Sequence, residues 1–204
     1  MPRVRTTTAP VIYLIRHGQS ESNAAGLLVG RSNPALTELG REQARRLRPL
    51  LDGVVEVWVS PLSRAFETAR EALPHLEPTV VDDLIEVDYG SLDGRPMATL
   101  TEDEWQDIEG DHASPIGGGE SLADVDARVH PLLRTLLADR SSLLHDPERH
   151  LAIVSHVSPI KSVLTWAMDV PGRAVWHMRI DNCSLSVVGP RRNGATVIRT
   201  NLVP

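Results

Sequence analysis

The feature that most constrains this chain is the apolar run Val11-Ile12-Tyr13-Leu14-Ile15, which ends abruptly at Arg16-His17-Gly18. Five β-prone residues in succession predict a short buried strand, and the three that follow cannot continue it in a core. In open α/β sheets, ligands bind beyond the carboxyl ends of the strands. An imidazole and a guanidinium one step past such a strand are therefore placed to meet an anion. Gly18 is expected to let the backbone approach that anion closely.

The remaining sequence alternates strand and helix signals. Residues 1–10 read as a loose polar arm, and the Gly- and Ser-bearing stretch from Gly26 to Asn33 as a loop. Thr37 can cap a helix running to about Leu51, with Ala44, Leu47 and Leu51 as its apolar stripe. Residues 54–59 form a second strand. Ser60-Pro61 then predicts a helix start, a capping hydroxyl followed by proline at the first helical position. Residues 79–81 are a third strand, leading into Leu84-Ile85-Glu86-Val87-Asp88-Tyr89-Gly90. Apart from a short helix around Glu102 to Ile108, the stretch 91–120 lacks periodicity and reads as a lid or specificity insertion. Ser121 with Asp124 resembles a capping box, opening an amphipathic helix that Pro131 should kink or divide. Residues 151–154 form another strand ending at Ser155-His156, Ser158-Pro159 opens the next helix, and residues 184–188 and 195–200 form a terminal hairpin. This pattern predicts a single α/β domain over residues 1–204, a three-layer α/β/α sandwich with a mostly parallel central sheet.

Composition narrows the partners. A formal net charge of −6 argues against a nucleic-acid partner or an anionic membrane surface, so any anion must be held by a local cluster. Cys183 is the only cysteine, which excludes an intrachain disulfide and a cysteine-based zinc site and suits a cytoplasmic setting. His75, His112, His145 and His150 sit in polar stretches without metal-ligand spacing and are expected on the surface. No cofactor and no metal is expected. Neither an export signal nor a membrane span is read, because Arg16 interrupts the only early apolar run.

Parallel strands open their carboxyl ends on one edge, where five groups should gather: Arg16 and His17, Arg64 from a helix start, Glu86 from a loop, and His156. Two arginines beside helix N-termini suit a compact dianion such as a phosphoryl group. Taken by itself, Glu86 has acidic competitors in Asp82, Asp83, Asp88 and Asp93.

Five motifs in this order resemble the histidine phosphatase superfamily, the group that includes cofactor-dependent phosphoglycerate mutases. They are Arg16-His17-Gly18 with Asn23; Ser60-Pro61-Leu62 with Arg64; Leu84-x-Glu86 with Tyr89-Gly90; Gly119-Glu120-Ser121-Leu122 with Arg128; and Ser155-His156. The resemblance implies a phosphoglycerate mutase-like fold and a metal-independent phosphatase that hydrolyses a small phosphorylated metabolite through a phosphohistidine. It makes His17 the nucleophile, Arg16, Arg64 and His156 the ligands of the transferred oxygens, and Glu86 the acid and then the base. Gly18, Ser22, Asn23, Arg31 and Val157 are the expected substrate contacts, with Arg95 and residues 102–111 as further candidates for selectivity. His17 must be neutral to attack whereas His156 binds oxygens best when protonated, so two imidazoles of separated pKa are expected in one cleft. Glu86, between Leu84, Ile85 and Val87, is expected in an apolar setting that keeps it protonated.

Two departures bear on substrate. The family's glycolytic mutases carry a Lys a few residues after the Gly that ends the Glu86 loop, in the region Met97 occupies here, and an Arg pair further on, whereas no Arg occurs between Arg95 and Arg128. Many relatives have Gly after the second histidine, where this chain has Val157. A mutase is therefore the alternative, and a non-catalytic phospho-ligand module the third reading. Oligomeric state is open, a homodimer being compatible with the sequence.

Overall fold

In the computed structural model, which describes residues 10–138, 149–192 and 194–204, side chains alternating along the strands build one core on each face of a sheet. The N-terminal arm through residue 9 and His145 lie outside the described residues. Along β1 (Ile12–Arg16), Ile12 and Leu14 enter one core and Ile15 the other; along β4 (His150–Ser155), Leu151 and Ile153 are set against Ala152 and Val154 in the same way. Strands apolar on both sides need helices on both sides. The layer containing α2 (Glu38–Leu47) and α3 (Ser63–Ala72) buries Ala44, Leu47, Ala65 and Ala69. The opposite layer, with α5 (Leu122–Ala138) and α6 (Val157–Met168), buries Val125, Val129, Leu133, Ile160 and Leu164.

With β2 (Val54–Val59), β3 (Thr79–Val80), β5 (Leu185–Arg191) and β6 (Gly194–Leu202), the sheet order is β3-β2-β4-β1-β5-β6. The first four strands are mutually parallel, and β5 and β6 add on as antiparallel neighbours. This is the expected three-layer architecture with a mostly parallel sheet. Register decides where the chemistry sits: Arg16 pairs with Ser155 and Val59 with Val154, so His17, His156 and Ser60 all emerge together just past the paired ends of three adjacent strands.

Several local expectations change. Ser60 caps no helix, because α3 begins at Ser63 after Leu62; its hydroxyl accepts the N–H of Leu62, in the loop, at 3.3 Å. The helix expected to open at Ser158 begins at Val157, with His156 as its N-cap residue and no side-chain cap of its own. Pro131 lies inside α5 without dividing it. Its neighbours Val129 and Leu133 are fully buried, and ~1.5–3 kcal/mol for each such side chain offsets the roughly 3 kcal/mol of a helix-interior proline. The stretch 91–120 contains the helix expected there, α4 (Glu102–Glu109), capped by Thr101, and contributes Leu92, Ile108 and Ile116 to the core. His150 is buried, its Nδ1 accepting the Val11 N–H at 3.3 Å and its ring edge-on to Tyr13. His112 is half-buried against Asp126 at 2.8 Å. Among the described residues no helix is long and apolar enough to cross a membrane.

Candidate active site

His17 is 3 % exposed and held from both ring nitrogens. Nδ1 lies 2.7 Å from the carbonyl of Gly18, and Nε2 lies 3.2 Å from Nε of Arg64. A carbonyl only accepts and a guanidinium only donates, so the proton sits on Nδ1 and the lone pair on Nε2. The ring is also depressed well below the usual histidine range, first by burial and then by the charges of Arg16 and Arg64. It is a neutral imidazole with a defined basic nitrogen.

Arg64 is fully buried and held by fixed acceptors: besides His17, its terminal nitrogens donate to the carbonyls of Ser32 and Gly30, each at 2.7 Å. The loop bearing those carbonyls is shaped by Asp93, which accepts from the N–H groups of Gly30 and Ser32 and from the Ser32 hydroxyl. Burial pulls the Arg64 guanidinium down to about 10, which leaves it charged at neutral pH. Arg16 donates to the Ile180 carbonyl at 2.7 Å, while its buried Nε has no partner among the described residues.

His156 faces His17 across the site, ring centroids 5.1 Å apart and tilted by 57°. Its Nε2 shares a 2.7 Å hydrogen bond with the Ser60 hydroxyl, and its Nδ1, also buried, has no partner among the described residues. Burial first, then Arg64, His17 and Arg16, push this imidazole well below its ordinary range too. Both imidazoles are thus shifted in the same direction, by burial and by the same two arginines. A bound dianion is the group that would restore the proton on His156, by cancelling those charges.

Glu86 is 4 % exposed, yet its pocket is polar where an apolar one is predicted. Its carboxylate accepts the N–H groups of Val157 at 3.1 Å and Ser158 at 3.2 Å, the first two of α6, and that of Val87 at 2.9 Å. It supplies the cap that α6 otherwise lacks, at the positive end of the helix. The Ser155 hydroxyl, donating to the Leu84 carbonyl at 2.7 Å, ties the Glu86 loop to the end of β4.

The expected substrate contacts divide. Asn23 completes the capping box of α1 (Glu21–Ala24), and its side-chain oxygen also accepts from Asn182, which donates to the His17 carbonyl at 3.2 Å. Ser22 lies half-buried on the same short helix, with its carbonyl accepting the Leu27 N–H. Gly18 is needed for packing: a Cβ there would stand 2.4 Å from the Gly40 carbonyl, while its N–H donates to Thr68 at 2.9 Å. Arg31 is paired with Glu120 at 2.9 Å and Asp88 at 3.7 Å, and Arg95 with Glu104 at 2.7 Å. Val157 has ordinary helical backbone, so nothing at that position calls for glycine. Thr68, Asp93 and Asn182 join the site through hydrogen bonds, as does Ser60 of the Ser60-Pro61-Leu62 motif. Among the described residues, no group of three or more His, Cys, Asp or Glu side chains is placed to hold a metal ion.

A model of the histidine phosphatase superfamily (branch 1) matches residues 12–203. A bifunctional protein of Mycobacterium tuberculosis is 33 % identical over 92 % of the chain and 52 % of its own length, so the chain spans about half of that relative. A protein of Yersinia pestis named as a probable phosphoglycerate mutase is 33 % identical over 87 % of the chain and 83 % of itself. Among solved structures, the alpha-ribazole phosphatase of Shigella flexneri aligns with a TM-score of 0.79 at 29 % identity, covering 94 % of this chain and 96 % of that one. A mycobacterial glucosyl-3-phosphoglycerate phosphatase aligns at 0.85 with 25 % identity, covering 95 % and 100 %.

Proposed function

The chain belongs to the histidine phosphatase superfamily, branch 1, and from that premise we propose that it hydrolyses a small phosphomonoester through a phosphohistidine on Nε2 of His17, without a metal ion. The observation that carries this reading is the hydrogen-bond pair on His17, with Gly18 fixing the proton on Nδ1 and Arg64 meeting the free lone pair on Nε2. A neutral imidazole aimed into a cationic pocket is what nucleophilic attack on phosphorus requires.

In the first step Nε2 of His17 forms a bond to phosphorus as the ester P–O bond breaks, and Glu86 in its acid form gives its proton to the departing oxygen. In the second, Glu86 takes a proton from water as the water oxygen attacks phosphorus; the P–N bond breaks and inorganic phosphate leaves. Charge spreads over the equatorial oxygens throughout, and Arg16, Arg64 and a newly protonated His156 meet it. The unpartnered Nε of Arg16 and Nδ1 of His156 are the buried groups available to those oxygens.

Hydrolysis of an aryl phosphate in the presence of chelator tests the reading, together with acid-labile labelling of His17 in a single turnover. Loss of both in His17→Ala supports it, and full activity in that variant overturns it. A phosphoglycerate mutase is the second reading, favoured by the Yersinia relative. Against it stand Met97 and the pairing of Arg95 with Glu104. Isomerisation of a phosphoglycerate after priming with the bisphosphate, in place of phosphate release, would decide for the mutase.

A further inference from the structure

Among the 21 basic residues of the chain there is one lysine, Lys161, and it is buried. It lies in the second turn of α6, three residues after Ser158, whose N–H holds Glu86. Its exposure is 9 %, and among the described residues its ammonium has no carboxylate within ion-pairing distance; it rests over the ring of Trp176, 5.2 Å from the centroid. Buried lysines are rare unless paired. Arg31, Arg95 and Arg128, by contrast, are already paired: Arg31 with Glu120 and Asp88, Arg95 with Glu104, Arg128 with Glu120. Lys161 also lines a small cleft with Tyr89, Val157, Ser158, Val175 and Trp176. The cleft shares Val157 and Ser158 with the Glu86 site, which sets Lys161 beside the group assigned to protonate the departing alcohol. Glu86 and Arg16 are near enough for their charges to act on the ammonium in opposite senses.

We propose that Lys161 is a specificity-determining residue that selects phosphomonoesters whose alcohol half carries a second anionic group, a carboxylate or another phosphate, seated against Trp176. This deepens the phosphatase reading and rests on it. A charge-assisted hydrogen bond to an ammonium at the mouth of a largely buried side chain discriminates between an anionic and a neutral group, because only the anion gives the cation a partner.

The test compares matched esters on the purified chain: 3-phosphoglycerate against glycerol 3-phosphate for a carboxylate, and fructose 1,6-bisphosphate against fructose 6-phosphate for a second phosphate. An aryl phosphate serves as the reference. The expected result is a wild-type preference for the anionic member of at least one pair that falls ~10–100-fold in kcat/KM in Lys161→Met, with the aryl phosphate changed less than about threefold. An unchanged preference overturns the proposal. An equal fall on all esters also overturns it, since Lys161 would then serve Glu86 or the fold. A wild-type chain that turns over no ester removes the phosphatase reading itself, an outcome distinct from an active enzyme indifferent to the second charge. If Lys161→Met does not fold, acylation of this lone lysine in the wild-type chain, read by peptide mass spectrometry, replaces it. The anionic member of a pair should protect Lys161 better than its neutral twin, and equal protection overturns the proposal.

Discussion

Nε of Arg64 donates to Nε2 of His17 at 3.2 Å, so a residue of α3 sets the tautomer of a residue one step past β1. The same guanidinium is locked by the carbonyls of Gly30 and Ser32, which makes the contact a designed one and not a chance approach of two long side chains. Its charge suits phosphoryl oxygens, and the contact must be released for the His17 lone pair to attack phosphorus.

Arg64→Met should lower kcat on an aryl phosphate by at least ~10²–10³-fold, the scale of losing one fixed donor to a developing oxyanion. Arg64→Lys should recover little of it, because an ammonium cannot meet His17, Ser32 and Gly30 from one planar fork. Steady-state kinetics on folded variants, checked by circular dichroism, measures both; near-wild-type activity of the lysine variant would contradict the role given to the fork.

Glu86→Gln should lose ~10²–10⁴-fold on alkyl phosphates, whose departing oxygen needs a proton, and far less on an aryl phosphate with an acidic leaving group. The glutamine keeps an oxygen for the α6 N–H groups but has no proton to give. A plot of rate against leaving-group pKa for both proteins reads the difference as a steeper slope in the variant.

His17 and His156 are both depressed in the fold and take ordinary values when unfolded. Below about pH 6.5 the unfolded chain binds protons that these rings refuse, so stability is full above that pH and falls as pH drops toward the folded values. The slope contributed should approach ~1.4 kcal/mol per pH unit for each ring. Denaturant melts between about pH 6.5 and 5.5 should show it, and His17→Asn should reduce it. Inorganic phosphate should flatten the dependence by favouring protonated His156.

Gly18→Ala should destabilise by ~1–3 kcal/mol or more, since its Cβ would meet the rigid Gly40 backbone at 2.4 Å. Val157→Gly, which restores the residue common among relatives, should leave kcat within a few-fold, because the helical backbone there suits both residues. Chemical denaturation measures the first variant and kinetics the second.

Local chemistry let the sequence alone determine much of this protein. Continuous apolar runs specified buried strands, helical periodicity specified the covering layers, and the position of Arg16-His17 and Ser155-His156 after such runs put them at one edge of the sheet. Only the tertiary structure decided the rest, because it depends on partners distant in the chain. The register of β1 against β4 sets the two imidazoles face to face, and backbone N–H groups of α6 surround Glu86 where its own neighbours suggested an apolar pocket. Burial beside shared arginines holds both rings neutral, and Lys161, the one lysine of the sequence, has no carboxylate paired with it among the described residues and rests over Trp176. Charge, solvation and hydrogen-bond partnership are properties of the space around a residue, and that space is assembled only when the chain has folded.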